Sequence, residues 1–369
     1  MIFPWRKPRA DEGGPAPAAQ PARKKINLAL QGGGAHGAFT WGVLDQLLED
    51  GRLEIEGISG ASAGAMNAVM LADGLARGGP EEARKRLADF WRAASFGGDL
   101  PAVQRTVVDR LFSFMPLDNS PIQAWFETVA NYFSPYDVNP LNINPLRDII
   151  ARFVDFEAVR NDEKRQLFIS ATNVFTGRLH VFSRRTISAD AVMASACLPM
   201  LFQAVEIDGV PYWDGGYLGN PVIFPFFYTT ETEDVLVVQI NPLVRHTIPK
   251  SSSEIMNRLN EITFNASLLS EFRAIDFVAR LIDQGRLPHG KGPGEYRRIK
   301  VHRVVLDGDG RTYSAGSKLS NDYEFFTLLR DGGRRAARRF LDAHFDDIGV
   351  RSTMDLRADL PAEFDKNKA

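Results

Sequence analysis

The feature that most constrains this chain is the stretch Ile55-Glu56-Gly57-Ile58-Ser59-Gly60-Ala61-Ser62-Ala63-Gly64-Ala65-Met66-Asn67. An extended run with alternating apolar residues enters it. A G-x-S-x-G turn (Gly60, Ser62, Gly64) lies at its centre, and an alanine-rich helical pattern leaves it. Strand, elbow and helix in that order suit a nucleophilic serine. The tight turn forces its apex residue into a strained backbone, and small neighbours keep it clear of the flanking elements. The elbow also lifts the Ser62 hydroxyl to the start of a helix, where backbone N–H groups and the helix dipole stabilise negative charge. A bare structural turn is the alternative reading of the pentapeptide alone.

A second glycine cluster precedes the elbow. Ile26-Asn27-Leu28-Ala29-Leu30-Gln31 reads as a buried parallel strand, and Gly32-Gly33-Gly34-Ala35-His36-Gly37 follows at once. Phe39, Val43, Leu44, Leu47 and Leu48 then recur at helical spacing up to Gly51. Three readings compete for this loop. It matches G-x-G-x-x-G, the dinucleotide or phosphate loop. However, no Gly-Lys-Ser/Thr follows, and the acidic residue expected about 20 residues on would fall where the next strand is only beginning. It could be a turn that lets a helix pack closely. It could also be an oxyanion hole, its glycine N–H groups aimed at developing negative charge. The neighbouring strand delivers an elbow serine beside the loop at the carboxyl ends of the strands, which favours the third reading.

A strand Val210–Trp213 ends in Asp214-Gly215-Gly216. An aspartate just past a strand end, before two glycines that turn the backbone sharply, is where an active-site carboxylate belongs. Asp-Gly is also the commonest turn dipeptide. Elsewhere the pattern predicts helices from Met66 to Leu75, from Pro80 to about Trp91, over 252–285 and over 321–344. It also predicts a hairpin around Thr176-Gly177, a short helix Ala189–Ala196, and strands 202–207, 234–240 and 299–306. Residues 94–146 interleave aromatics (Phe112, Trp125, Phe126, Tyr132, Tyr136) with prolines, which suits either a cap over an apolar cleft or an irregular packed subdomain. Residues 1–24 read as a disordered tail and 351–369 as a frayed one. Phe3 and Trp5 beside Arg6, Lys7 and Arg9 could touch an anionic membrane surface.

With 369 residues and a net charge of −2, the chain can bury a large core and nothing calls for a nucleic-acid partner. Arg334, Arg335, Arg338 and Arg339, at helical spacing, read as a solvated face. One cysteine, Cys197, excludes an internal disulfide, and no cluster of His, Asp and Cys has metal-ligand spacing. No run reaches the roughly 18 apolar residues of a membrane span, and the N-terminus lacks the order of a secretory signal. A cytoplasmic location is expected, with peripheral membrane contact left open.

Taken in order, Gly32–Gly37, Gly60–Gly64 and Asp214–Gly216, together with Ala194-Ser195-Ala196-Cys197-Leu198-Pro199, resemble the patatin-like phospholipase family of acyl hydrolases. The resemblance covers about residues 24–245. It implies a three-layer α/β/α fold with a mostly parallel central sheet. The catalytic domain would span 25–245, with a cap at about 94–146 and a helical C-terminal region, 246–350, packed on it. It also implies a Ser–Asp dyad: Ser62 as nucleophile, Asp214 as general base, and the Gly32–Gly34 loop as oxyanion hole, with the N–H groups of Gly33 and Gly34 as donors. Gly37, Gly60, Gly64, Gly215 and Gly216 complete the motifs. No cofactor or metal is implied, and the substrate would be a lipid or other acyl ester. His36 stands where many relatives carry Arg or Lys. From the residues alone, a Ser…Asp…His triad stays open, with His246 foremost and His289, His302 and His344 behind it. Also open are a non-membrane ester or intracellular polyester as substrate, and a role in binding lipid or nucleotide without hydrolysis.

Overall fold

The computed structural model describes residues 23–95, 134–142, 144–306 and 322–359. In chain order these form β1 (Lys24–Leu30), α1 (Gly37–Asp50), β2 (Leu53–Gly60), α2 (Ala63–Arg77), α3 (Gly79–Ala93), α4 (Pro145–Phe153) and α5 (Phe156–Asn161). Then come β3 (Gln166–Asn173), β4 (Arg178–Ser183), α6 (Ala189–Ser195), β5 (Val205–Ile207), β6 (Val210–Asp214), β7 (Asp234–Gln239), α7 (Ser252–Asp283), β8 (Lys300–Val305) and α8 (Tyr323–His344), with short helical turns between.

The strands form one sheet in the order β5-β6-β3-β2-β1-β7-β8, with β4 also paired to β3. β1, β2, β3, β7 and β8 are parallel, whereas β4 and β6 run antiparallel to β3 and β5 runs antiparallel to β6. Side chains alternate across a strand, and here the alternation sorts them into two cores. Ile26, Leu28 and Leu30 of β1, Leu236 and Val238 of β7, and Val304 of β8 join Phe39, Met66, Phe90, Trp91, Phe326 and Phe340. Ala29, Val235, Val237 and Val301 face the other way, onto Val222, Phe226, Leu268, Phe272 and Ile275. Helices α1, α2, α3 and α8 therefore cover one face and α7 covers the other. This is the three-layer α/β/α arrangement. Burying one such Phe or Leu contributes about 1.5–3 kcal/mol relative to leaving it in water.

α8 crosses α1 backbone to backbone. Gly333 sits against the Phe39 carbonyl oxygen, and Gly42 against the Arg330 carbonyl. Nearby, the Arg334 guanidinium meets Asp45 and Glu49, and Arg338 donates to the Gln46 side chain (3.2 Å). Part of the arginine row is thus tied to α1 instead of being simply solvated. The start of the expected frayed tail is also docked. Val301 donates to the Ser352 hydroxyl (3.1 Å), Thr353 and Met354 donate to the Val301 carbonyl, and Met354 is buried. The expected N-terminal tail up to residue 22, most of the expected cap (96–133 and 143) and residues 360–369 lie outside the described residues. From the end of the cap segment, the Tyr136 hydroxyl accepts the Ala204 N–H (3.2 Å). Among the described residues no helix is long and apolar enough to cross a membrane.

Candidate active site

β3 brings the two halves of the site together. Along one edge, Gln166–Ile169 pair with Gly57–Gly60 of β2, and two residues further on Ala171 pairs with Asp214 of β6. β4 occupies the opposite edge. Asp214 therefore enters the sheet just where β2 leaves it for the elbow.

Ser62 stands at that elbow with φ 53° and ψ −123°, a left-handed backbone that costs a non-glycine residue about 1–3 kcal/mol. The motif glycines allow the turn. A Cβ on Gly60 would lie 2.5 Å from the Gly64 carbonyl oxygen, and one on Gly64 would strike the Leu30 carbonyl. The Ser62 carbonyl accepts from Ala65 (2.9 Å) and Met66 (3.1 Å) to begin α2, and its N–H donates to the hydroxyl of buried Ser195 (2.9 Å).

Asp214 is fully buried and held at three points. Its N–H donates to the Cys197 carbonyl (2.8 Å), its carbonyl accepts the Thr172 hydroxyl (2.8 Å), and Oδ1 accepts the Gly216 N–H (2.6 Å). Oδ2 closes no hydrogen bond of good geometry, although the Ser62 hydroxyl is near enough to favour the charged form. Burial pushes the carboxyl up to about 7, against the weaker pulls of the Gly216 N–H and the Ser62 hydroxyl. A Cβ on Gly216 would lie 2.9 Å from Asp214 Oδ1 and 3.0 Å from the Phe264 ring of α7, so a side chain there would displace the Asp214 carboxylate. Burial and the charge of Asp214 push the Cys197 thiol up to about 12, which leaves it protonated and unreactive.

The glycine loop lies against the elbow, and a Cβ on Gly32 would come 2.8 Å from the Ser62 Cβ. Its backbone is fixed by buried amides. Asn220 Oδ1 accepts the Gly32 N–H (2.6 Å), and Asn241 Nδ2 donates to the Gly32 carbonyl (2.7 Å). Gln31 accepts from the Ile240 and Asn241 N–H groups (2.9 and 2.8 Å) and donates to Asn265 of α7 (2.8 Å). Of the three glycines expected to form the oxyanion loop, Gly32 has its N–H committed to Asn220. The N–H groups of Gly33 and Gly34 find no acceptor among the described residues. Gly34 has φ +59°, and Gly37 lets α1 approach Ala63 and the Trp91 ring. His36 is buried, its ring 6.4 Å from that of Phe325.

The histidine alternatives separate by position. His302 is fully buried at the other end of the sheet, bonded to Asp234 (2.9 Å) at the start of β7 and to Thr353 (3.1 Å). His289 pairs with Glu233 and His344 with Asp347. His246 is exposed in the loop after β7. None of the four bonds to Asp214. Ser195, Asn220, Gln31 and Asn241 were not singled out by the sequence reading. The available signals were the Ser195-containing segment and a glutamine directly after an apolar strand.

The patatin-like phospholipase model matches residues 28–227, more than half of the chain. The chain belongs to the patatin-like phospholipase family. Similar solved structures include VipD from Legionella pneumophila, at 16% identity over 88% of this chain and 67% of that one, with TM-score 0.38. ExoU of the Pseudomonas aeruginosa type III secretion system, in complex with SpcU, matches at 15% identity over 88% of this chain, with TM-score 0.36. This chain spans about half of ExoU's length (52%). No curated protein sequence matches.

Proposed function

We propose that this patatin-like protein is a lipid acyl hydrolase that cleaves carboxylic esters through an acyl-enzyme on Ser62, with Asp214 as its only general base. The observation that carries the reading is the pairing of a strained elbow serine with a buried carboxyl raised to about 7. A serine hydroxyl is a poor nucleophile until a neighbouring base takes its proton, and a base works best with a pKa near the operating pH.

In this scheme the ester carbonyl oxygen rests on the N–H groups of Gly33 and Gly34. Ser62 Oγ attacks the carbonyl carbon as its proton passes to Asp214 Oδ2. The tetrahedral oxyanion collapses, the C–O bond to the alcohol breaks, and Asp214 returns the proton to the leaving oxygen. Water then attacks the acyl-serine and gives its proton to Asp214. On collapse, that proton goes to Ser62 Oγ and the free acid departs. Each oxyanion donor in such sites is worth about 3–4 kcal/mol in the transition state.

The test is fluorophosphonate labelling with intact-mass readout. Wild type should take one adduct, and Ser62→Ala and Asp214→Asn none. Labelling that survives Asp214→Asn but is lost in His246→Ala would replace the dyad with a triad. No labelling of wild type would sink the hydrolase reading.

A further inference from the structure

Helix α7 has two faces. Its inner face holds the candidate site: Phe264 packs on Gly216, Asn265 bonds to Gln31, and Leu268, Phe272 and Ile275 fill the core beneath. Its outer row, at spacings of three or four residues, is Ile255, Leu259, Ile262, Ala266, Ser270, Arg273, Phe277 and Arg280, all exposed. Ile255, Leu259 and Ile262 are about half in water (45%, 51% and 51%), and Phe277 is 54% exposed. Isolated exposed apolar residues need no explanation, but an in-phase row of them beside a substrate site does.

Charge is sorted in the same way. All five acids of α7 lie off this row, and only Asp276 reaches it, through Arg280. Glu254 caps the helix, Glu261 binds Arg245 and Arg258, and Glu271 accepts from the Ile223 and Phe224 N–H groups. Asp276 meets Arg280 and Arg357, and Asp283 meets Arg298. The row itself carries no carboxylate and two cations: Arg280, which pairs with Asp276 (3.1 Å), and Arg273, which has no ion pair among the described residues. The loop entering α7 repeats this chemistry, with exposed Val244 and Ile248 (66% and 82%) next to His246 and Lys250. That loop starts at Asn241, which holds the Gly32 carbonyl.

We infer that the outer row of α7, with the loop before it, docks the protein on an anionic lipid bilayer and sets the candidate site at the membrane surface. An apolar stripe ending in arginines suits a helix lying in the headgroup plane, its aliphatic side chains among the acyl chains and its cations against lipid phosphates. α7 is not apolar enough to cross, so it lies flat. From Ile255 to Phe277 the row runs about 33 Å, enough to fix the protein's orientation. The inference rests on the lipid-ester reading for its purpose, since a bilayer ester must be presented to Ser62.

The test uses the full chain carrying Ser62→Ala, sedimented with phosphatidylcholine vesicles with and without phosphatidylglycerol. Binding should require phosphatidylglycerol and weaken with salt. Ile255→Ser/Leu259→Ser/Ile262→Ser should lower the partition coefficient about tenfold or more. Arg273→Glu/Arg280→Glu should remove the preference for anionic lipid. An environment-sensitive dye on Leu259→Cys should shift to the blue on vesicles, and one on Lys164→Cys, at the other end of the sheet, should not. Buried Cys197 does not compete for the label. Equal vesicle binding by the triple-serine variant overturns the inference. So does a wild type that ignores vesicles and elutes as a dimer which the triple variant dissociates. With Ser62 restored, the triple variant should hydrolyse a soluble short-chain ester at the wild-type rate. Vesicle binding without soluble-ester hydrolysis in wild type would sink the esterase reading and leave the docking face standing.

Discussion

Asp214→Asn should remove activity and, above neutral pH, stabilise the fold. In the unfolded chain this carboxyl titrates near 3.8, and in the folded protein near 7. Between those values the folded state holds one proton more than the unfolded state, so wild-type stability falls as pH rises through this range and levels off above about 7. The span is about three pH units at 1.36 kcal/mol each, or roughly 4 kcal/mol, set by ionising a carboxyl that is completely out of water. Asparagine has nearly the same shape, can keep the Gly216 N–H on its oxygen, and does not titrate. Relative to wild type, the variant should therefore gain about 4 kcal/mol between pH 4 and pH 8. With about 2.1 cal/mol/K of unfolding entropy per residue over 369 residues, that is about 5 °C in melting temperature. Other groups, including Glu271, which burial also raises to about 7, are common to both proteins and cancel in the difference. Thermal melts of both proteins across this range decide the matter. Melting curves that stay parallel from pH 4 to pH 8 would refute a raised, buried Asp214. The same proton should set the acid limb of kcat/KM, with activity rising through about pH 7 as Asp214 becomes a base.

Three further outcomes follow from the packing. Ser195→Ala leaves the Ser62 N–H without its acceptor, a loss of about 1–3 kcal/mol, and should lower kcat with little change in KM, read from steady-state kinetics on a soluble ester. His246→Ala should keep both the rate and the acid limb, and a displaced limb would return a histidine to the mechanism. Gly333→Leu drives a side chain into the α1 backbone and should cost more than about 3 kcal/mol by denaturant unfolding, while Gly332→Leu, at an open position, should cost much less.

The elements that carry the site were legible because their signals are local. An apolar strand, a glycine loop and a 3.6-residue repeat recur in order, and Ser62 and Asp214 each sit at a break in such a pattern. The hairpin, α7 and α8 were legible for the same reason. What was not legible depends on partners far apart in the chain. Gln31 meets Asn265, Asn220 meets Gly32, and Ser195 meets Ser62, and nothing near any of these residues reveals the other. Gly32 shows the limit within a motif. Its glycine was legible from the loop, but the acceptor that takes its N–H lies 188 residues away. The two faces of α7 were also hidden, because apolar residues occur all round its first half and only the sheet decides which of them are covered.

In the proposed dyad a lone carboxylate stands in for a histidine, and the fold supplies both of histidine's advantages. One is a pKa near neutrality, and full burial at the end of β6 provides it. The other is a fixed distance to the nucleophile. β2 and β6 share the same edge of β3, so backbone hydrogen bonds set the spacing between the Ser62 elbow and Asp214. A solvent-exposed aspartate on a loop would have neither property: it would ionise near 4 and wander. The strain at Ser62 and the desolvation of Asp214 are therefore two sides of one arrangement. Each is unfavourable to folding, and each is held by the same central strand.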